Sequence, residues 1–250
     1  MVQISNKDIK FIKSLSAKKF RDESGLFVVE GEKMVHEALE SGFGVVEVYR
    51  RDEIGDEAMS RISQLSSPSP VLAVVRRPEG VYSAPAAAEN GLYLVLDSIR
   101  DPGNLGTIIR IADWFGIKAV IASRDTVELF NPKVVQSTMG AIFRVDFHYC
   151  DIQEFAQSVL KKDGRIYGTF LDGVDMYSRD LDTGAERPVA VVIGNESNGI
   201  SKEMEQFVTE RIFIPPYPAD ERGSESLNAA VATAVTVAEF RRRLHLQNSL

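Results

Sequence analysis

The residues best suited to chemistry fall in three clusters in the second half of the chain. The first is Asn104-x-Gly106-x-x-x-Arg110, the second Gly194-Asn195-Glu196-x-x-Gly199, the third Ser226-Leu227-Asn228. Their side chains supply amide donors and acceptors, a hydroxyl, one carboxylate and one guanidinium. Such a set can orient a ligand and steady negative charge as it develops on an oxygen. Arg110 is unsuited to be a base, because a guanidinium keeps its proton until pH rises above ~12. Its natural partners are a phosphate or an alkoxide. Each cluster alone also has a plain structural explanation. Asp101, Pro102 and Gly103 read as a turn, with Asn104 as a helix N-cap and Arg110 as a surface charge. Gly194 and Gly199 let the chain turn after a buried strand, and Ser226 would cap the last helix.

Hydrophobic periodicity supplies the framework that must hold these side chains. Strands are expected at 93–97, 118–122, 144–147, 165–170, 189–193 and 211–214, with helices near 104–115, 131–140, 151–162, 201–208 and 225–244. Asn131 followed by Pro132 is a cap and first helical position. All three clusters follow strands, and in an open α/β sheet ligands gather outside the carboxyl ends of strands. Upstream, Ser5 and Asp8 form a capping box ahead of Ile9, Ile12 and Leu15. Strands are expected at 26–29, 45–49 and 71–75, and helices at 32–39 and 58–65. The first of these helices would bury Met34, Val35, Ala38 and Leu39 and end at Gly42. The alternation predicts a mostly parallel sheet here. Pro78, Gly80, Pro85 and an alanine run break the pattern. The expected division is a small α/β domain at 1–76, a linker at 77–91 and a larger α/β domain at 92–250.

The composition narrows the function. With 29 Lys and Arg against 36 Asp and Glu, the net charge of −7 argues mildly against a polyanionic ligand. The distribution argues the other way: Lys7, Lys10, Lys13, Lys18, Lys19 and Arg21 crowd the first segment, opposed only by Asp8 until Asp22. A local field over about 8–10 Å is what a phosphate backbone feels. Further basic runs occur at Arg50–Arg51, Arg76–Arg77 and Arg241–Arg243. Cys150 stands alone, which excludes an intrachain disulfide and fits a reducing compartment. The N-terminus has no apolar leader, and the uncharged stretch 226–238 is too short to span a bilayer. Gly42-Phe43-Gly44 lacks the third glycine of a dinucleotide loop. His148 with Cys150 would give only two ligands, so no metal is expected.

Taken together, in this order and at these separations, the three clusters resemble the motifs of the SpoU (TrmH-like) family of RNA 2′-O-ribose methyltransferases, part of the knotted SPOUT superfamily, over about residues 92–244. The stretch 27–39, Phe-Val-Val-Glu-Gly-Glu-Lys-Met-Val-His-Glu-Ala-Leu, is similar to that family's ribosomal-protein-like substrate-binding domain. The resemblance implies a parallel-sheet catalytic domain whose C-terminal segment threads a loop in a trefoil knot, which chain-topology rules alone would reject. It implies S-adenosylmethionine as cofactor, bound by Thr169, Phe170, Leu171, Gly194, Asn195, Glu196, Gly199, Ile214, Ser226 and Leu227. It implies Asn104, Arg110, Glu196, Ser226 and Asn228 as the catalytic group. Helical spacing, six residues on, is expected to put Arg110 on or close to the face of Asn104. Structured RNA is the expected partner, ribosomal rather than transfer RNA by analogy with the extra domain, held by the basic run from Lys7 to Arg21. A cytoplasmic homodimer is expected, joined through Leu227, Val231, Ala234, Val235 and Ala238. Two alternatives stay open: a catalytically silent RNA-binding protein of the same fold, and a tRNA-specific 2′-O-methyltransferase. A base methyltransferase of the wider superfamily should lack the Asn104-to-Arg110 pattern.

Overall fold

The computed structural model describes residues 4–83, 88–218 and 226–247, which divide into two compact units. The first comprises Met1–Glu79 together with Glu128–Arg144. Its elements are α1 (Asn6–Ser14), α2 (Lys18–Ser24), β1 (Leu26–Glu30), α3 (Glu32–Glu40), β2 (Val45–Arg50), α4 (Arg51–Ile54), α5 (Asp56–Ile62) and β3 (Val71–Arg76). Half of the expected capping box forms: the Ser5 hydroxyl accepts from the Asp8 amide as N-cap, but the Asp8 carboxylate accepts from that hydroxyl rather than from the Ser5 amide. Ile9, Ile12 and Leu15 pack with Met59, Ile62, Leu72 and Val74 as the expected buried stripe. The expectation of a mostly parallel sheet fails. β3 lies between β1 and β2 and runs antiparallel to both. Strand–helix alternation fixes only that β1 and β2 point the same way, and the split βαβ unit meets that condition with a third strand inserted between them. Leu39 is 53% exposed, and α3 ends at Ser41 rather than Gly42.

The second unit comprises Gly80–Val127 and Val145–Leu250. It contains β4 (Gly91–Leu96), α6 (Pro102–Trp114), β5 (Val120–Ser123), β6 (Phe147–Cys150), α8 (Ile152–Leu160), β7 (Arg165–Asp175), β8 (Pro188–Ile193), α9 (Lys202–Glu205), β9 (Glu210–Phe213) and α10 (Ala229–Gln247). Six strands form one parallel sheet in the order β6-β5-β4-β8-β7-β9. β4 and β8 are buried along nearly their whole length, as parallel strands covered on both faces must be. The strand expected at 144–147 is shifted: Arg144 closes a 3-10 turn, Ala141–Phe143, and the strand starts at Phe147.

The excursion between β5 and β6 carries α7 (Pro132–Thr138), which packs on β1 in the first unit. Asn131 caps it as expected, its side chain accepting from the Lys133 amide. Phe130 meets Phe27 at 4.8 Å between ring centroids, and Phe143 meets Phe43 at 5.0 Å. Nothing in local periodicity marks this segment as belonging to the earlier unit.

Candidate active site

Parallel strands place their following loops at one end of the sheet, so the loops after β4, β8, β7 and β9 share an edge. The loop after β4 is built around Asp97 and Ser98. Asp97 is buried and accepts from the Ser201 amide at 2.7 Å, tying this loop to the one after β8. Ser98 adopts a left-handed backbone, φ 62°, uncommon for a residue with a side chain. Surrounding bonds impose it: its amide donates to Ser123 at 2.9 Å, its carbonyl accepts from the Asn195 amide group at 2.7 Å, and its hydroxyl donates to Asp125 at 2.7 Å. Asp97 and Ser98 open the polar stretch that runs on to Arg110 and are legible in the sequence, whereas Ser123 and Asp125, two ordinary polar residues after another strand, leave no pattern to find.

α6 begins at Pro102 because Asp101, not Asn104, is its N-cap, accepting from the Asn104 amide at 2.8 Å. That releases the Asn104 side chain for another task. Its Nδ2 donates to Glu196 at 2.9 Å, while its Oδ1 accepts from Asn228 Nδ2 at 2.8 Å. Asn228 in turn caps α10, its Oδ1 accepting from the amides of Ala230 and Val231 at 2.9 and 3.3 Å. The polarity of this chain is fixed at both ends. Helix N–H groups can only donate and an ionised carboxylate can only accept, so each intervening amide has one allowed orientation. The three sequence clusters thus join in a single hydrogen-bonded line. Ser226 is exposed and does not cap α10.

Glu196 also accepts from the amides of Arg100 and Asp101, at 3.2 and 3.1 Å. Burial pushes its carboxyl pKa up, but the bonds from Asn104 and from backbone amides outweigh that and hold it below the usual value. Its loop is closed by paired backbone bonds between Asn195 and Gly199. Gly194 is required there, because a Cβ would stand 2.2 Å from the Gly199 carbonyl carbon.

Arg110 is not on the face of Asn104. Six helical residues turn the direction by about 240°, so Asn104 is buried while Arg110 is exposed and has no partner among the described residues. Of the expected cofactor residues, Thr169 donates from its hydroxyl to the Val192 carbonyl at 3.3 Å. Phe170 is packed against the sheet core, so its ring is already occupied. Leu171 and Leu227 are exposed, and Ile214 is partly buried.

The basic run divides on folding. Arg21 is 2% exposed: it pairs with Glu128 and donates to the carbonyls of Leu15 and Ser16, so it is a core group and unavailable to RNA. An arginine preceded by five lysines in one basic run gave no sign of this. Lys18 and Lys19 pair with Asp22 and Glu23. Lys7, Lys10 and Lys13 are exposed along α1, without partners among the described residues. Arg242 and Arg243 bind Glu239, and Arg241 binds the Phe115 carbonyl. His148 lies 2.8 Å from Asp146, and burial pushes the Cys150 thiol pKa up to about 11.

Residues 91–238 match the SpoU rRNA Methylase family, and residues 6–74 match the MRM3-like substrate binding domain. A solved structure described as a putative RNA methyltransferase of the TrmH family from Porphyromonas gingivalis is 34% identical, with a TM-score of 0.85 over 97% of this chain and 100% of that one. An AdoMet-bound rRNA methyltransferase from Sinorhizobium meliloti is 29% identical, with a TM-score of 0.84 over 98% and 97% of the two chains. The Bacillus subtilis 23S rRNA (guanosine(2553)-2′-O)-methyltransferase RlmP is 29% identical over 94% of this chain and 96% of its own length.

Proposed function

The chain belongs to the SpoU rRNA methylase family, and we propose that it transfers a methyl group from S-adenosylmethionine to a ribose 2′-hydroxyl of ribosomal RNA. The observation that carries this reading is the line from Glu196 through Asn104 to Asn228, which joins all three clusters at one edge of the sheet. The residues present fit the donor. Leu171 and Leu227 expose apolar side chains suited to cover a purine, and the ionised Glu196 favours a cation nearby. When bound, S-adenosylmethionine supplies an electrophilic methyl on its sulfonium. The protein's part is orientation and charge. Glu196, Asn104 and Asn228 lock the loops after β4 and β8 against the start of α10; such positioning lowers a barrier by up to about 7–11 kcal/mol. Arg110, always protonated, grips a phosphate and steadies the alkoxide rather than creating it.

Substrate RNA is assigned to the first unit through the exposed lysines Lys7, Lys10 and Lys13, with Lys18 and Lys19 at the margin. A homodimer through α10 is supported by Val231 on that helix and Leu227, which lies two residues ahead of it rather than on it, each 49% exposed, beside α6, whose Trp114 is 84% exposed. Because Arg110 sits on α6, assembly would set it near a second chain. The trefoil knot rests on the family match, with a six-stranded parallel sheet of the expected kind beside it. Among the described residues no helix is long and apolar enough to cross a membrane; a cytoplasmic location is supported by the single buried thiol.

The test is methyl transfer from tritiated S-adenosylmethionine to ribosomal RNA. Label in the RNA, lost in Arg110→Ala, is the expected result. Donor and RNA binding with no transfer would favour the silent RNA-binding alternative.

A further inference from the structure

β9 meets β7 in two registers. Ile212 faces Thr169 and again Val174, so the four residues from Phe170 to Gly173 are extruded as a bulge. Extruded residues lie outside the ladder that would set their shape, and Leu171 in this bulge is 69% exposed. Arg211 on β9 grips it at two points. The guanidinium carbon lies 3.5 Å from the centroid of the Phe170 ring. One nitrogen donates to Asp172 at 2.5 Å and another to Glu205 of α9. The ring is held by the sheet as well. It packs on the sheet core and folds over Gly168, where a Cβ would stand 2.4 Å from its edge.

We propose that Arg211 is a positioning residue for the methyl donor, holding the 170–173 bulge in the shape that receives S-adenosylmethionine without touching it. This rests on the functional reading above, in which Thr169 to Leu171 contribute to the donor site. Phe170 then serves through its backbone, its ring being the handle by which the bulge is held. Asp172 and Glu205 flank the guanidinium, so removing Arg211 also leaves two carboxylates without a counter-charge, and the geometric effect is read on the ligand whose sulfur is uncharged. A lysine reproduces the charge but not the planar stack and two-way fork.

The experiment measures binding of S-adenosylmethionine and of its uncharged-sulfur product, S-adenosylhomocysteine, by calorimetry to the full chain. Arg211→Ala should weaken binding of S-adenosylhomocysteine by about tenfold, the scale set by one stacked cation and a partly exposed ion pair, and of S-adenosylmethionine by somewhat less, because the unpaired carboxylates favour its cationic sulfur. Arg211→Lys should fall between. Arg242→Ala removes a comparable ion pair far along α10 and should leave both affinities unchanged. Three results would overturn the proposal: unchanged affinities in Arg211→Ala, a change for the charged ligand alone, or an equal loss in Arg242→Ala. A wild-type chain that binds neither ligand would overturn the functional reading with it.

Discussion

Replacing Asn104 by aspartate keeps the shape of the Glu196–Asn104–Asn228 line and reverses one polarity. The introduced carboxyl would face Glu196 across the 2.9 Å now spanned by an N–H donor. Two ionised carboxylates at that distance repel by about 6 kcal/mol at an effective dielectric of 20. Taking up one proton is cheaper. An aspartate with an ordinary pKa near 3.9 must be held protonated about three units above it at pH 7, which costs about 4 kcal/mol at 1.36 kcal/mol per unit. Glu196 is partly open to water, so this is a ceiling, and about 2–4 kcal/mol is expected. In acid the protonated carboxyl donates to Glu196 and still accepts from Asn228, so the line survives. The folded-state pKa of the pair is raised above its unfolded value, hence the folded chain binds the extra proton and stability falls as pH rises. The deficit should shrink to about 1.5 kcal/mol at pH 5. Urea unfolding of Asn104→Asp beside the wild type at pH 5 and pH 7 measures it. Equal deficits at both values, or none at pH 7, would refute the polarity argument.

Three further outcomes follow from the same geometry. Arg110→Ala should lower turnover by about 10²–10³-fold with little change in donor affinity and, since Arg110 is exposed and unpaired among the described residues, unfold within about 0.5 kcal/mol of wild type; Arg110→Lys should rescue poorly, and near wild-type turnover in the alanine variant would reduce Arg110 to a surface charge. Gly194→Ala drives a Cβ to 2.2–2.6 Å from backbone atoms of Gly199 and Ile200, so calorimetry should find donor binding lost; retained affinity would mean the loop can move aside. Replacing Lys7, Lys10 and Lys13 together by serine should weaken ribosomal RNA binding and flatten its log-affinity against log-salt slope by about 2–3, while an unchanged slope would place the footprint elsewhere.

The strands of the second unit and the three clusters were legible because each rests on a local signal: a run of apolar residues, then a polar break. What joins the clusters was not legible. Asn104 and Asn228 lie 124 positions apart, and the bond between them exists only because α10 packs beside α6. The caps of α6 and α10 were misassigned for a related reason: Asp101 and Asn104, or Ser226 and Asn228, are equally good cap types, and only the fold decides between them. Arg21 shows the limit of charge reading. Its burial depends on Glu128, which arrives from an excursion that shares no periodicity with the first unit. The antiparallel β3 was hidden because alternation of strands and helices constrains direction only between strands joined by a crossover.

The atom that receives the methyl group separates a ribose methyltransferase from a base methyltransferase. Ribosomal RNA methylated by the chain with labelled S-adenosylmethionine, digested to nucleosides and resolved by mass spectrometry, should carry the label on a ribose, as a 2′-O-methylnucleoside with an unmodified base. Label on a base, with the sugar unchanged, would contradict the account.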